Sequence, residues 1–153
     1  MRRPLILVAA AGMAAGLVGT GPLAAAVPTK TTKTTVTVSE FDFGIKQKPT
    51  KLKHGKVSFA VKNIGTFEHK YVVVRWNQST PLPTKADGSV DEAAIPAADH
   101  IGDIASLKPK QSGSLKARLD AGQYVAFCNI VETIGTTTFV HYARGMTKTF
   151  KVT

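Results

Sequence analysis

The chain has 153 residues, with 20 Lys and Arg against 10 Asp and Glu, four His, three Met and one Cys. That length suits one domain with an appendage and excludes two full cores. A single cysteine excludes an intrachain disulfide and any zinc site built from several thiolates, and the chain lacks a phosphate-binding Gly-rich loop, a dinucleotide fingerprint, a His-Glu-x-x-His pair and a Gly-x-Ser-x-Gly elbow.

The first segment reads as a targeting signal. Met1-Arg2-Arg3 is a basic head, Leu5 to Val18 an apolar run, Gly19 to Pro22 a break, and Ala24-Ala25-Ala26 offers small residues for cleavage. This is the order of a secretory signal peptide cut after Ala26. The uncharged stretch from Pro4 to Val27 is also long enough for a retained anchor, but its Ala- and Gly-rich core, broken by Pro22, favours cleavage. Either way the positive head stays inside and the domain is exported, to the periplasm, the envelope or beyond. After cleavage no transmembrane segment is expected. Loss of residues 1–26 removes Arg2 and Arg3 from the 20 basic residues, leaving 18 against 10 acidic and a net charge of +8. Met1 and Met13 leave too, so Cys128 and Met146 are the last of their kinds, beside His54, His69, His100 and His141. Exported cysteines normally pair, so an odd one points to a reactive thiol, an intermolecular bridge or a metal ligand.

Residues 27–33 read as a flexible lead-in and 34–153 as the domain. From Thr34 the pattern alternates, with Val36 and Val38 on one face, then Phe41, Phe43 and Ile45. Residues 46–56 carry Pro49, Gly55 and five lysines and are expected to form mostly an exposed connection. Val57 to Val61 is a strand ended by the turn residues Asn63 and Gly65, and the continuously apolar Tyr71 to Trp76 a central strand. A polar excursion follows over 77–100, with one helical turn at Asp91 to Ala94. Strands return at 101–107, 113–119, 123–128 and Thr147 to Val152. Short strands with turn signals about ten residues apart predict an all-β, antiparallel Greek-key sandwich. The lysines lack interleaved aromatics, which argues against nucleic acid as a partner.

Four residues stand in an order with chemical meaning: His69 at the start of strand 71–76, Cys128 at the end of strand 123–128, and His141 and Met146 before the last strand. Pairing the last strand with 123–128 would bring the three late residues to one end of the sandwich. A thiolate and two imidazoles make a trigonal site that a distant thioether can cap, a set suited to copper cycling between two oxidation states. His54, in a lysine-rich turn, and His100, after a Pro/Ala-rich loop, are not expected among the ligands.

At these residues the sequence resembles the cupredoxins, the small blue copper proteins of the plastocyanin and azurin kind. The resemblance covers roughly residues 34–153 and rests on VKNIGTFEHKYVV at 61–73, AGQYVAFCNI at 121–130 and HYARGM at 141–146. It implies one type 1 copper ion held by His69, Cys128, His141 and Met146, cycling between Cu(I) and Cu(II), and a monomeric electron carrier rather than an enzyme. Two rival functions keep the fold: a copper carrier or buffer without a redox role, and a structural sandwich with a vestigial site. Two features depart from the family pattern. Residues 129–140 lengthen the Cys128–His141 loop and are expected to form a small hairpin over the copper. Lys70 stands where the family often has an asparagine that ties the ligand loops, and its cation is expected to act on the site. The positive charge predicts an acidic redox partner or an anionic envelope surface, with docking near His141 through Phe139, Val140 and Tyr142.

Overall fold

The computed structural model describes residues 33–77 and 79–153, so the leader at 1–26 and nearly all of the lead-in lie outside the described residues. Eleven strands follow in chain order: β1 (Thr34–Phe41), β2 (Gly44–Lys48), β3 (Lys51–Leu52), β4 (Gly55–Asn63), β5 (His69–Arg75), β6 (His100–Leu107), β7 (Ser112–Leu119), β8 (Gly122–Phe127), β9 (Val131–Ile134), β10 (Thr137–Val140) and β11 (Thr147–Val152). They form a four-stranded sheet, β2-β1-β4-β7, a five-stranded sheet, β3-β11-β8-β5-β6, and a separate β9-β10 hairpin. The two sheets pack as a sandwich. Most pairings are antiparallel, as expected, but β1 runs parallel to β4 and β3 parallel to β11. Among the described residues no helix is long and apolar enough to cross a membrane.

Alternation decides which side chains meet between the sheets. Val36 and Val38 of β1 and Val57, Phe59 and Val61 of β4 point inward and are buried against Tyr71, Val73, Tyr124 and Phe150 of the other sheet. Phe59 lies edge-on to Phe150, and Tyr124 stacks on Phe150 at 5.4 Å. Each such buried ring adds roughly 1.5–3 kcal/mol of transfer free energy, and this layer is the main cohesive element.

β2 and β3 correct the expectation of an exposed connection over 46–56. Their lysines do face solvent, but Ile45, Gln47 and Leu52 between them are buried. The pattern is hard to see because one inward position is polar and β3 is only two residues long. The excursion over 77–100 also has a defined place. It forms 3-10 turns at Glu92–Ala94 and Ala97–Asp99. Its Leu82, Val90 and Ile95 pack on Val72, Val74, Val125 and Phe127, making a second, smaller core on the outer face of the five-stranded sheet.

Polar residues break the apolar rule at a few inward positions. Glu40 of β1 follows Val36 and Val38 on the buried face, is fully buried, and neither carboxyl oxygen has a hydrogen-bond partner among the described residues. Gln47, which accepts from the Tyr71 hydroxyl at 3.0 Å, is buried too, with its own amide nitrogen unpartnered. Burial pushes the Glu40 carboxyl from 4.5 up to about 8. Between those values the native state keeps a proton that the unfolded chain releases, so stability is expected to fall as pH rises from about 4.5 to about 8. The slope should approach ~1.4 kcal/mol per pH unit in mid-range. Urea melts across this range should give that slope for the native chain and a nearly flat profile for Glu40→Gln.

Candidate metal centre

His69, Cys128 and His141 converge at one end of the sandwich, all fully buried, with their donor atoms within 4.8 Å of one another. The antiparallel ladder of β8 and β11 begins this convergence, pairing Phe127 with Thr147 at its last rung. Just beyond it the Cys128 amide donates to the Met146 carbonyl at 3.0 Å. The Met146 amide donates to the His141 carbonyl at 3.1 Å, and the His141 amide to the Ile130 carbonyl at 3.0 Å. Gly145, with φ of 97°, makes the tight return between His141 and Met146. Met146 is fully buried in the same core cluster as Cys128.

His69 arrives from the other direction, through a loop built by two side chains. Asn63, the buried end of β4, accepts from the Gly65 amide at 2.8 Å and donates to the carbonyls of Phe67 and Leu107, both at 2.7 Å. Asp42 accepts from the Thr66 amide at 2.8 Å, the Thr66 hydroxyl at 2.7 Å and the Phe67 amide at 3.2 Å. Desolvation works against the charge on Asp42, but these donors and the nearby His69 hold its carboxyl below the usual carboxylate range. Gly65 is needed for a steric reason: a Cβ there would collide with Asp42 and stand 2.9 Å from His69 Nε2.

The two imidazoles present the same nitrogen inward. His69 Nδ1 and His141 Nδ1 are 3.3 Å apart, and His141 Nδ1 is 3.4 Å from Cys128 Sγ. Donors about 2.0–2.3 Å from a shared ion stand roughly 3.3–3.7 Å apart in a trigonal set, so these residues fit a small metal ion. One thiolate with two imidazoles, and a thioether in the same core, is a donor chemistry suited to copper. Cys128 Sγ also accepts the Lys70 amide at 3.2 Å.

Each imidazole has a carboxylate at its outer nitrogen. His141 Nε2 lies 2.7 Å from Glu132 Oε1, and His69 Nε2 lies 3.5 Å from Asp42 Oδ1 without a hydrogen bond. Such partners orient a ligating ring and raise its basicity. Glu132 comes from the β9–β10 hairpin, which occupies the lengthened Cys128–His141 loop and turns at Gly135 with φ of 61°. Phe43 and Phe67 pack on His141 with centroids at 5.5 and 6.0 Å, and Phe139 packs on both of them at 5.9 Å. The Arg144 guanidinium covers Phe139 at 4.6 Å and Phe43 at 5.1 Å.

Two expectations are corrected here. His141 has no exposed edge and cannot itself form the contact, while Tyr142 is half-buried, its ring edge-on to Phe127. Lys70 does not act as a free cation: its Nζ lies 3.0 Å from both Glu92 oxygens. The loops are tied instead by Asn129, which accepts the Val90 amide at 2.7 Å and donates to the Val90 carbonyl at 2.9 Å and to Glu92 at 2.8 Å. His54, exposed beside the Thr153 carbonyl, and His100, 3.7 Å from Glu92, stand outside the cluster. Sequence reasoning passed over Asp42, Asn129 and Glu132. Only Glu132 left a signal, as the one carboxylate between Cys128 and His141.

No protein-family model matches the chain, and no curated protein matches it in sequence. Solved structures do match in fold. Reduced auracyanin from Roseiflexus castenholzii is 19% identical with a TM-score of 0.52, the match covering 78% of this chain and 97% of that one. Auracyanin A from Chloroflexus aurantiacus, a blue copper protein, is 16% identical with a TM-score of 0.53 over 80% and 100% of the two chains. Rusticyanin from Thiobacillus ferrooxidans is 19% identical with a TM-score of 0.54 over 79% and 77%. The fold is that of the cupredoxins.

Burial pushes the Cys128 thiol up to about 12, against the lowering effect of the Lys70 and Ile130 amides. His69 is shifted down, by burial first and by His141 second. At neutral pH the metal-free thiol therefore keeps its proton, and a divalent ion must displace it. Metal uptake near pH 7 should release about one proton, and affinity should rise about tenfold per pH unit through this group. Titration calorimetry in buffers of different ionisation enthalpy reads the proton directly; Cys128→Ser should release none.

Proposed function

We propose that the chain is an exported electron-transfer protein that holds one copper ion through His69, Cys128, His141 and Met146. The observation that supports this reading most is the convergence of a thiol and two imidazoles, all fully buried, within 4.8 Å. Bound there, copper supplies a one-electron couple between Cu(I) and Cu(II). The protein's part is to keep the donors still while the charge changes. The Asn63 and Asp42 bonds fix the His69 loop, the Cys128–Met146–His141 backbone circuit fixes the other three donors, and Glu132 fixes the plane of the His141 ring. The ring of Phe43, Phe67 and Phe139 keeps water from the donors.

Burial also ranks the alternatives. A delivery protein must hand over its metal, which needs a donor that can swing out to a recipient, whereas these donors are enclosed. Four protein donors leave no position for a substrate, so the reading is a carrier and not an enzyme. The leader-like residues 1–26 support export.

Copper-loaded protein should absorb intensely in the visible through sulfur-to-copper charge transfer, and Cys128→Ser should abolish the band. A colourless Cu(II) complex of the native chain would sink the assignment. Met146→Leu should retain the metal and raise the potential, and Met146→Gln should lower it, by protein-film voltammetry; unchanged potentials in both would remove Met146 from the ligand set.

With His141 enclosed, the partner must meet the rim around it. The exposed large apolar residues are Phe41 at 43%, Ile64 at 57%, Val131 at 42% and Ile134 at 51%, all on segments at the metal end. They support an apolar contact for an acidic redox protein steered by the positive charge. Val131→Asp with Ile134→Asp should slow electron exchange with an acidic partner about tenfold or more while leaving the spectrum unchanged. Stopped-flow kinetics checks both.

A further inference from the structure

The two outer faces of the sandwich differ in kind. The excursion over 77–99 covers the five-stranded sheet with a second core. Among the described residues the four-stranded sheet has no such cover, and its outward positions follow from the alternation. They are exposed Lys46 and Lys48 on β2, Lys56 and Lys62 on β4, and Lys116 and Arg118 on β7, among Thr35, Thr37, Ser39, Ser58, Ala60, Ser112 and Ser114, with exposed Phe41 at the end of β1. Strand register spreads the cations over the whole face. Lys46 and Lys62 flank Ser39, Lys56 sits opposite Arg118, and Lys116 opposite Ser58. Lys33, one residue before β1, joins Lys56, Lys116 and Arg118 around a shallow hollow.

No outward position on this face is acidic. None of these cations is ion-paired among the described residues, and residues 1–32 contain no carboxylate that could pair with them. Folding has thus gathered like charges on one surface, about 5 Å apart where cations are directly paired and about 10 Å apart where a strand lies between them, without neutralising them. An external anion is the natural complement.

We propose that this bare sheet face seats the protein on the headgroup layer of an anionic lipid bilayer. Three features favour a bilayer over other polyanions. The cations stand on four adjacent strands as a two-dimensional array, matching a surface whose phosphates repeat in two dimensions. Its centre is Thr37, Ser58 and Ala60, without the aromatic anchor that a protein interface places there. Lysine dominates, a residue depleted at protein interfaces but attracted as a point charge to anionic headgroups. Nucleic acid is disfavoured because no row of aromatics offers stacking. Strands lying flat on the headgroups would leave the metal end facing sideways along the membrane, free to meet a redox partner. The inference does not depend on bound metal, so it can fail while the copper reading stands, and the reverse.

The test uses the full chain, in which residues 4–27 contribute equally to every variant. Acetylation rates of individual lysines are measured by mass spectrometry with phosphatidylcholine vesicles and with vesicles containing about one third phosphatidylglycerol, at about 0.05 and 0.5 M salt. Anionic vesicles should slow Lys46, Lys56, Lys62 and Lys116 about tenfold at low salt and leave Lys85 and Lys151 unchanged, with the protection lost at high salt. Combined Lys56→Gln, Lys116→Gln and Arg118→Gln should abolish the preference for anionic vesicles. An equal loss of charge elsewhere, by Lys85→Gln, Lys108→Gln and Lys151→Gln, should preserve it. Equal loss in both triple variants would overturn the proposal by making net charge the cause. Unchanged lysine rates on anionic vesicles would overturn it as well, and protection of the same lysines by soluble polyglutamate alone would assign the face to an acidic protein.

Discussion

Where the β8–β11 ladder ends, the Cys128 amide finds the Met146 carbonyl, and much of the site depends on that bond. It closes a short circuit in which Met146 binds back to His141 and His141 to Ile130. A soft donor and an imidazole are thereby held at fixed separation by main chain alone. Side-chain rotamers have little left to decide, because the surrounding positions are filled by close-packed core. Only His69 comes from a distant part of the chain. Its loop is held by side-chain hydrogen bonds from Asn63 and Asp42 to reach the same stillness.

How much of this was legible in the sequence depended on whether a residue's role is local. The continuous apolar run Tyr71 to Val74 and the alternation in Val57 to Val61 announce strands because each pattern repeats within its own segment. β2 escaped because its inward residue is Gln47, whose burial makes sense only beside the Tyr71 hydroxyl. The parallel pairing of β1 with β4 has no local signature at all. The three side chains that converge were visible as an order of types, His69, Cys128 and His141. Their supporting carboxylates were not, since Asp42 and Glu132 matter only through where their oxygens fall in space. Lys70 was misread for the same reason: its partner Glu92 lies 22 residues away, in a polar excursion whose position against the sheet has no local signature.

The fold divides its chemistry by direction. The interior between the sheets is mostly apolar, with Glu40, Gln47 and Asn63 as buried polar exceptions, and it insulates the donors from below. The strand ends hold the donors and, around them, the apolar rim. The outer sheet faces are left for separate use: one covered by the excursion, one bare and basic. Because these regions share few side chains, changes in one need not disturb the others.

The β9–β10 hairpin has a bearing on how this chain can diverge. It is a sheet of its own, hydrogen-bonded across its two strands and to no other strand. It stands on the rung that joins Ile130 to His141. Nothing crowds its tip, where an added Cβ on Gly135 would meet no atom. Residues can therefore be added or removed there in pairs without shifting the positions on either side. The hairpin behaves as an adjustable stalk grafted between two donors. Its length sets how far the surface stands off from the metal end, and that length can drift under selection for different partners while the centre beneath stays the same.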